Sequence, residues 1–237
     1  MSNPYFNFKQ FTVYHDKCAM KVGIDAVVLG AWTNLENCEN ILDIGTGTGL
    51  IALMVAQRSS ALIDAIDIDF NAITQAQENI TTSPWNKRIK AAHISLQKFT
   101  PTNIGKYDLI ISNPPYFINS TKTPDNKRTS ARHTDTLSHS ELIQNSKILL
   151  KPKGRICYIL PVNEGLQCIK IAYALGLYNS KRVFVFPKPN TIAKRILLEF
   201  ILEECQTIDS ELFIESEIRH QYTEEFSELV KSYYLNL

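Results

Sequence analysis

From residue 40 onward, apolar runs of strand length alternate with segments of helical period. That alternation restricts the chain to a mostly parallel sheet with helices on both faces. The runs over 40–44, 61–66, 89–94 and 107–112 read as strands, and the periods over 50–58 and 71–80 as helices, the second ending near Pro84. A helix over 138–150 opens on Ser138-x-x-Glu141, the capping-box spacing. Lys153-Gly154 predicts a turn into a strand over 155–160, followed by a helix over 163–175. Strands over 178–186 and 194–202 are close enough across Pro187-Lys188-Pro189-Asn190 to pair antiparallel. The expected fold class is therefore α/β: a seven-stranded sheet, mostly parallel, with an antiparallel C-terminal hairpin strand.

Ahead of the sheet, Phe6, Phe8, Phe11 and Val13 alternate as in a small hairpin, and 24–32 reads as a helix. Tyr222, Phe226, Leu229, Tyr233 and Tyr234 recur at near-helical spacing and predict a C-terminal helix packed on the sheet. Residues 1–237 read as a single domain, with 1–35 as an N-terminal hairpin and helix and 36–237 as the core. The long segment without regular pattern is 116–137, a length at which structureless loops are usually functional or disordered.

A chain of 237 residues, 44% of them hydrophobic, buries one sizeable core, so intrinsic disorder is not expected. No run approaches the roughly 18 apolar residues of a membrane span, and residues 1–17 lack the apolar stretch of a secretory signal. Cys18, Cys38, Cys157, Cys168 and Cys205 form neither a C-x-x-C pair nor a zinc spacing with histidine. We expect reduced thiols, a cytoplasmic location and no bound metal.

The net charge of +1 hides a strong asymmetry. Residues 1–119 balance at −1, residues 120–195 at +10 and residues 196–237 at −8. A basic segment this concentrated is a candidate footprint for a polyanion; the alternative is a solvated face offset by the acidic tail.

Two motifs carry chemistry. Leu42-Asp43-Ile44-Gly45-Thr46-Gly47-Thr48-Gly49 lies between a strand and a helix, where glycines let the backbone turn tightly and approach a ligand. A dinucleotide fingerprint would need a glycine at position 50, which is Leu50. The spacing G-x-G-x-G after an acidic residue instead resembles the cofactor loop of class I methyltransferases. Asp67 ends the next strand, where a carboxylate can accept both hydroxyl hydrogens of a ribose. Gly45, Gly47 and Gly49 with Asp43 and Asp67 are thus the candidate nucleoside-cofactor site.

The second motif, Ser112-Asn113-Pro114-Pro115-Tyr116-Phe117, directly follows a buried strand. The exocyclic nitrogen of adenine is a poor nucleophile because its lone pair is delocalised into the ring. Two acceptors aimed at its hydrogens, the Asn113 side-chain oxygen and the Pro114 carbonyl, favour a tetrahedral nitrogen whose lone pair is available. Tyr116 or Phe117 can stack on the base. Lys122, Lys127, Arg128, Arg132 and His133 follow at distances that can rim the pocket and contact phosphates, or hold the loop internally. His15 and Asp16 have no partner arrangement for general base work, and Asp108 reads as a local hydrogen-bonding residue.

With both motifs in view, the sequence resembles the bacterial tRNA1(Val) adenine-37 N6-methyltransferase family over nearly its whole length. The resemblance runs through Phe8-Lys9-Gln10-Phe11, Cys18-Ala19-Met20-Lys21-Val22-Gly23-Ile24-Asp25 and the two motifs. It continues through Ala131-Arg132-His133-Thr134-Asp135-Thr136-Leu137-Ser138-His139 and Lys194-Arg195-Ile196-Leu197-Leu198-Glu199-Phe200. It implies a Rossmann-like class I fold, S-adenosylmethionine as donor and an adenosine beside the anticodon of a tRNA as acceptor. It also implies that residues 21–25, with Lys21 and Asp25, lie near the cofactor's other side. Many class I enzymes carry an acidic residue after the third strand; here that place is Ile94-Ser95-Leu96, and Ser95 is the candidate contact to the cofactor adenine. Asn-Pro-Pro-Tyr also marks DNA adenine methyltransferases and enzymes that methylate a release-factor glutamine, so glutamine N5-methylation is the alternative reaction. A module that only binds nucleic acid is the non-enzymatic one.

Overall fold

The computed structural model describes residues 3–18, 21–114, 137–218 and 220–236. An N-terminal hairpin of β1 (Tyr5–Asn7) and β2 (Thr12–Tyr14) precedes α1 (Ile24–Trp32). The main sheet contains β3 (Asn40–Ile44), β4 (Leu62–Asp67), β5 (Ile89–His93), β6 (Tyr107–Ser112), β7 (Leu150–Pro161), β8 (Tyr178–Phe186), β9 (Arg195–Ile201) and β10 (Ile208–Phe213). Its spatial order is β10-β8-β9-β7-β6-β3-β4-β5. The pairs from β7 through to β5 are parallel, β9 is antiparallel to both β7 and β8, and β10 is parallel to β8.

Helices cover both faces. α1, α2 (Leu50–Arg58), α3 (Phe70–Thr81) and α7 (Glu224–Val230) share one core with Ile41, Ile63 and Leu109 of the strands. α4 (Leu96–Phe99), α5 (His139–Leu149) and α6 (Val162–Ala174) share the other with Leu42, Ile44 and Ile110. Because both faces are dry, β3 and β6 are mostly apolar, with Asp43 and Asp108 as exceptions, although neighbouring side chains enter opposite cores. α2 is apolar all round because α1, the sheet and the C-terminal segment enclose it; Tyr233 donates its hydroxyl to the Met54 carbonyl at 3.0 Å. The capping box on α5 is formed, with Ser138 and Glu141 each bonding the other's main chain.

Two expectations are corrected. Among the described residues the sheet has eight strands, not seven: β10 occupies an edge, four of its residues are exposed, and only Leu212 is buried, so it lacks a strand's alternation. It is held by the six-residue ladder to β8 and by Arg182, whose Nε and Nη2 donate to the two Asp209 oxygens at 2.6 and 2.7 Å. Lys153-Gly154 lies inside β7, not at a turn before it. A Cβ on Gly154 would stand 2.9 Å from the Tyr107 carbonyl oxygen and 2.6 Å from Leu150 Cδ1, so close approach of β6 and not a reversal of direction demands the glycine there. Among the described residues no disulfide joins the five cysteines.

Candidate active site

The chain winds from β3 towards β4 and β5 on one side, then returns to place β6 and β7 on the other. A crevice opens beyond the carboxyl ends of the strands at such a reversal, between β3 and β6. Ile44 and Ser112, the last residues of these strands, are paired, and the Ser112 hydroxyl donates to the Ile44 carbonyl at 2.8 Å. Gly45 and Asn113 follow directly on this pair, at the level where the two strands lie about 5 Å apart. Asn113 is half-buried and Pro114 buried.

The glycine loop is held from below. The amides of Gly45 and Thr46 both donate to the Ile66 carbonyl, at 2.8 and 3.0 Å, and Gly47 N donates to Asp67 Oδ2 at 2.9 Å. Gly45, Gly47 and Gly49 adopt φ of 70°, 57° and 81°. A Cβ at Gly45 or Gly47 would meet nothing within 4 Å, so these two border open space, whereas at Gly49 it would stand 3.4 Å from Ala76 of α3. The first two glycines are free for a ligand and the third lets two helices pack.

Asp43 lies wholly buried beneath the loop. Thr46 Oγ1 donates to its Oδ2 at 2.6 Å, and its Oδ1 has no partner among the described residues. Burial, opposed by the Thr46 hydrogen bond and reinforced by the charge of Asp67, pushes its carboxyl up to about 7. Asp67 Oδ1 accepts from Asp69 N at 2.9 Å, and each of its oxygens keeps a further lone pair for a ligand hydroxyl. Ile94 N donates to the Asp67 carbonyl at 3.0 Å, which sets Ser95 one strand away; the Ser95 hydroxyl caps α4 by accepting from Lys98 N at 3.4 Å.

Lys21 is exposed ahead of α1. Asp25, at the start of α1, pairs with Arg195 of β9, Nε to Oδ2 at 2.7 Å, so its carboxylate links the N-terminal arm to the sheet. Tyr116, Phe117, Lys122, Lys127, Arg128, Arg132 and His133 lie outside the described residues. Asp108 stands at the opposite end of β6, accepting from the amides of Glu39 and Asn40 and pairing with Lys151, a hydrogen-bonding role as expected but with partners distant in sequence.

Sequence reasoning passed over Asn79 and Gln75, both 1% exposed on α3. Asn79 Nδ2 donates to the carbonyls of Thr48 and Tyr14, and its Oδ1 accepts from Tyr14 N, each at 2.9 Å. Gln75 Oε1 accepts from Lys17 N at 3.0 Å. One helix face thereby fastens the N-terminal arm to the glycine loop. The available signal was two amides four residues apart on a stripe otherwise made of Ala72, Ala76 and Ile80.

A sheet wound in this order, with a glycine-rich loop after its first strand and Asn113 beside it, is the architecture of a class I methyltransferase. The methyltransferase small domain family matches residues 28–175. A solved predicted O-methyltransferase from Agrobacterium tumefaciens shares the fold at a TM-score of 0.70, with 17% identity over 90% of this chain and 100% of that one. Similarity in sequence is far higher to the tRNA1(Val) (adenine(37)-N6)-methyltransferase of Parabacteroides distasonis, 52% identical over 238 residues with 100% of both chains covered. The protein of the same name from Bacteroides fragilis strain YCH46 is 47% identical over 240 residues, again with 100% of both chains covered. The chain belongs to the tRNA1(Val) (adenine(37)-N6)-methyltransferase family.

Proposed function

We propose that this protein transfers a methyl group from S-adenosylmethionine to the exocyclic N6 of adenosine 37, beside the anticodon of tRNA1(Val). The observation that carries the reading is the Ile44–Ser112 pairing, since it makes Gly45 and Asn113 neighbours across the crevice. The full-length relatives carry that activity in their names. The chain's own chemistry fits the cofactor: open space over Gly45 and Gly47, an unpartnered buried oxygen on Asp43 and a strand-end carboxylate on Asp67.

When bound, S-adenosylmethionine supplies an electrophilic methyl group on its sulfonium. Gly45 and Gly47 would border its amino-acid end, with Gly49 and Asp43 shaping the loop beneath it; Asp67 would hold its ribose and Ser95 its adenine, while Lys21 and Asp25 would close the other side. Asn113 Oδ1 and the Pro114 carbonyl accept the two amino hydrogens of the target adenine and direct its lone pair. Tyr116 and Phe117 stack on the base. Lys122, Lys127, Arg128, Arg132 and His133 contact the RNA backbone. An anticodon-loop adenine is already outside a regular duplex, so presenting it costs less than extruding a paired base. Residues 1–237 act as one catalytic unit, with 1–35 covering the cofactor side, and the substrate sets the work in the cytoplasm. Among the described residues no helix is long and apolar enough to cross a membrane.

Purified protein incubated with labelled S-adenosylmethionine and total tRNA from a strain lacking the gene tests the reading. The expected product is N6-methyladenosine; N7-methylguanosine, 5-methylcytidine or label transferred only to a release factor overturns it.

A further inference from the structure

The +10 balance of residues 120–195 resolves, in the fold, into charges that are spent and charges that are not. Among the described basic residues of this segment, Lys151, Lys181, Arg182 and Arg195 pair with Asp108, Glu199, Asp209 and Asp25. Lys147 and Arg155 donate to main-chain carbonyls of Leu175, Asn34 and Glu36. Lys153, Lys170, Lys188 and Lys194 remain, exposed and without an ion pair among the described residues.

Topology separates these four. Lys153 sits near the start of β7, at the end of the strand opposite the crevice, and Lys170 is exposed on α6. Lys188 and Lys194 belong to the turn between β8 and β9, and this turn stands on the crevice side. Ser112 pairs with Tyr158 of β7, but β7 continues to Pro161, which pairs with Arg195. The hairpin therefore rises three residues, about 10 Å, above the level at which β6 releases Asn113, and β9 stands about 10 Å to its side, two strands over. The Asp25–Arg195 pair and the bond from Lys194 N to the Val185 carbonyl, at 2.9 Å, hold the base of this wall.

One flank of this turn has the opposite character. Pro187 and Lys188 share a trough of about 410 Å³ with Ile24, Ile214, Glu215 and Glu217, and the two carboxylates repel a phosphate on that side. A polyanion following the lysines is kept off the flank that carries Glu215 and Glu217.

We propose that the turn at 187–194 docks the RNA backbone beside the active site, with Lys188 and Lys194 each meeting a phosphate. The proposal rests on the tRNA reading above and goes beyond it by assigning a contact far in sequence from the Asn-Pro-Pro-Tyr segment. Such contacts position an RNA without reading its bases.

The test is filter binding of the full-length protein to unmodified tRNA across a salt series, with methyl transfer measured in parallel. Lys188→Ala/Lys194→Ala should weaken binding by about tenfold at moderate salt and reduce the slope of log affinity against log salt by about 1.4, the single-strand value for two phosphates. The Kd for S-adenosylmethionine should stay within about twofold, and Lys153→Ala/Lys170→Ala should bind tRNA as the parent does. A double variant at 188 and 194 that keeps parental affinity and slope, while the parent methylates tRNA, overturns the docking site and leaves the enzymatic reading standing. A parent that neither binds nor methylates tRNA ends both.

Discussion

The Ser112 hydroxyl donates to the Ile44 carbonyl at 2.8 Å, joining the last residue of β6 to the last residue of β3 where neither is exposed to water. The glycine loop and the Asn113 segment, which the proposed mechanism brings together, both start from this bond. Ser112→Ala removes one buried hydrogen bond, worth about 1 kcal/mol, and should lower Tm by roughly 2–4 °C. Small misplacements of reacting groups are costly, so kcat should fall about tenfold with S-adenosylmethionine affinity nearly unchanged. A full-rate enzyme with the lowered Tm would show that the bond serves stability alone.

On the proposed mechanism, Asn113→Ala deletes one of the two acceptors for the reacting nitrogen. We expect kcat to fall by about 10²–10³, as when a single transition-state hydrogen-bonding group is lost. Calorimetric titration should find cofactor binding intact. Retention of more than a tenth of the parental rate would remove Asn113 from the chemistry.

Asn79→Ala should affect two places at once. It leaves the Thr48 carbonyl and both main-chain polar groups of Tyr14 without their buried partner, a cost of about 3 kcal/mol in unfolding free energy. Since one of those groups belongs to the glycine loop, S-adenosylmethionine affinity should drop by about tenfold. Denaturant unfolding and cofactor titration on the same preparation separate the two effects; an unchanged Kd would confine Asn79 to holding the N-terminal arm.

Asp43 makes stability depend on pH in an unusual sense. Its carboxyl is raised to about 7 in the fold, so from the ordinary carboxylate range up to about 7 the folded chain retains a proton that the unfolded chain has lost. This group's contribution is greatest in acid, declines by up to about 1.4 kcal/mol per pH unit as pH rises towards 7, and is flat above it. Asp43→Asn should flatten that part of the profile, measured by urea unfolding between pH 5 and 8. Parallel profiles for the two proteins would exclude Asp43 as the source.

Much of the framework was legible because its signals are local. The helix over Leu50–Arg58 and the strands Asn40–Ile44 and Tyr107–Ser112 lie where apolar runs predict them, because burial on both sides keeps polar residues few. β10 was not legible: an edge strand needs one inward side chain, and Ile208-Asp209-Ser210-Glu211 carries almost no apolar pattern. Gly154 was misread because a glycine demanded by an approaching backbone looks, in one dimension, like a glycine demanded by a turn. The Asn79 clamp also escaped notice, since its partners Tyr14 and Thr48 are 65 and 31 residues away.

Residue order alone determined the α/β class, the glycine loop, the strand-end carboxylate and the Asn-Pro-Pro-Tyr segment, because periodicity and turn chemistry act between near neighbours. Only the tertiary structure decided that Gly45 and Asn113 adjoin, and which basic residues are neutralised. Arg195 finds Asp25 across 170 positions while Lys188 and Lys194 find no carboxylate among the described residues. Charge pairing depends on distance in space, and the winding of the sheet sets that distance.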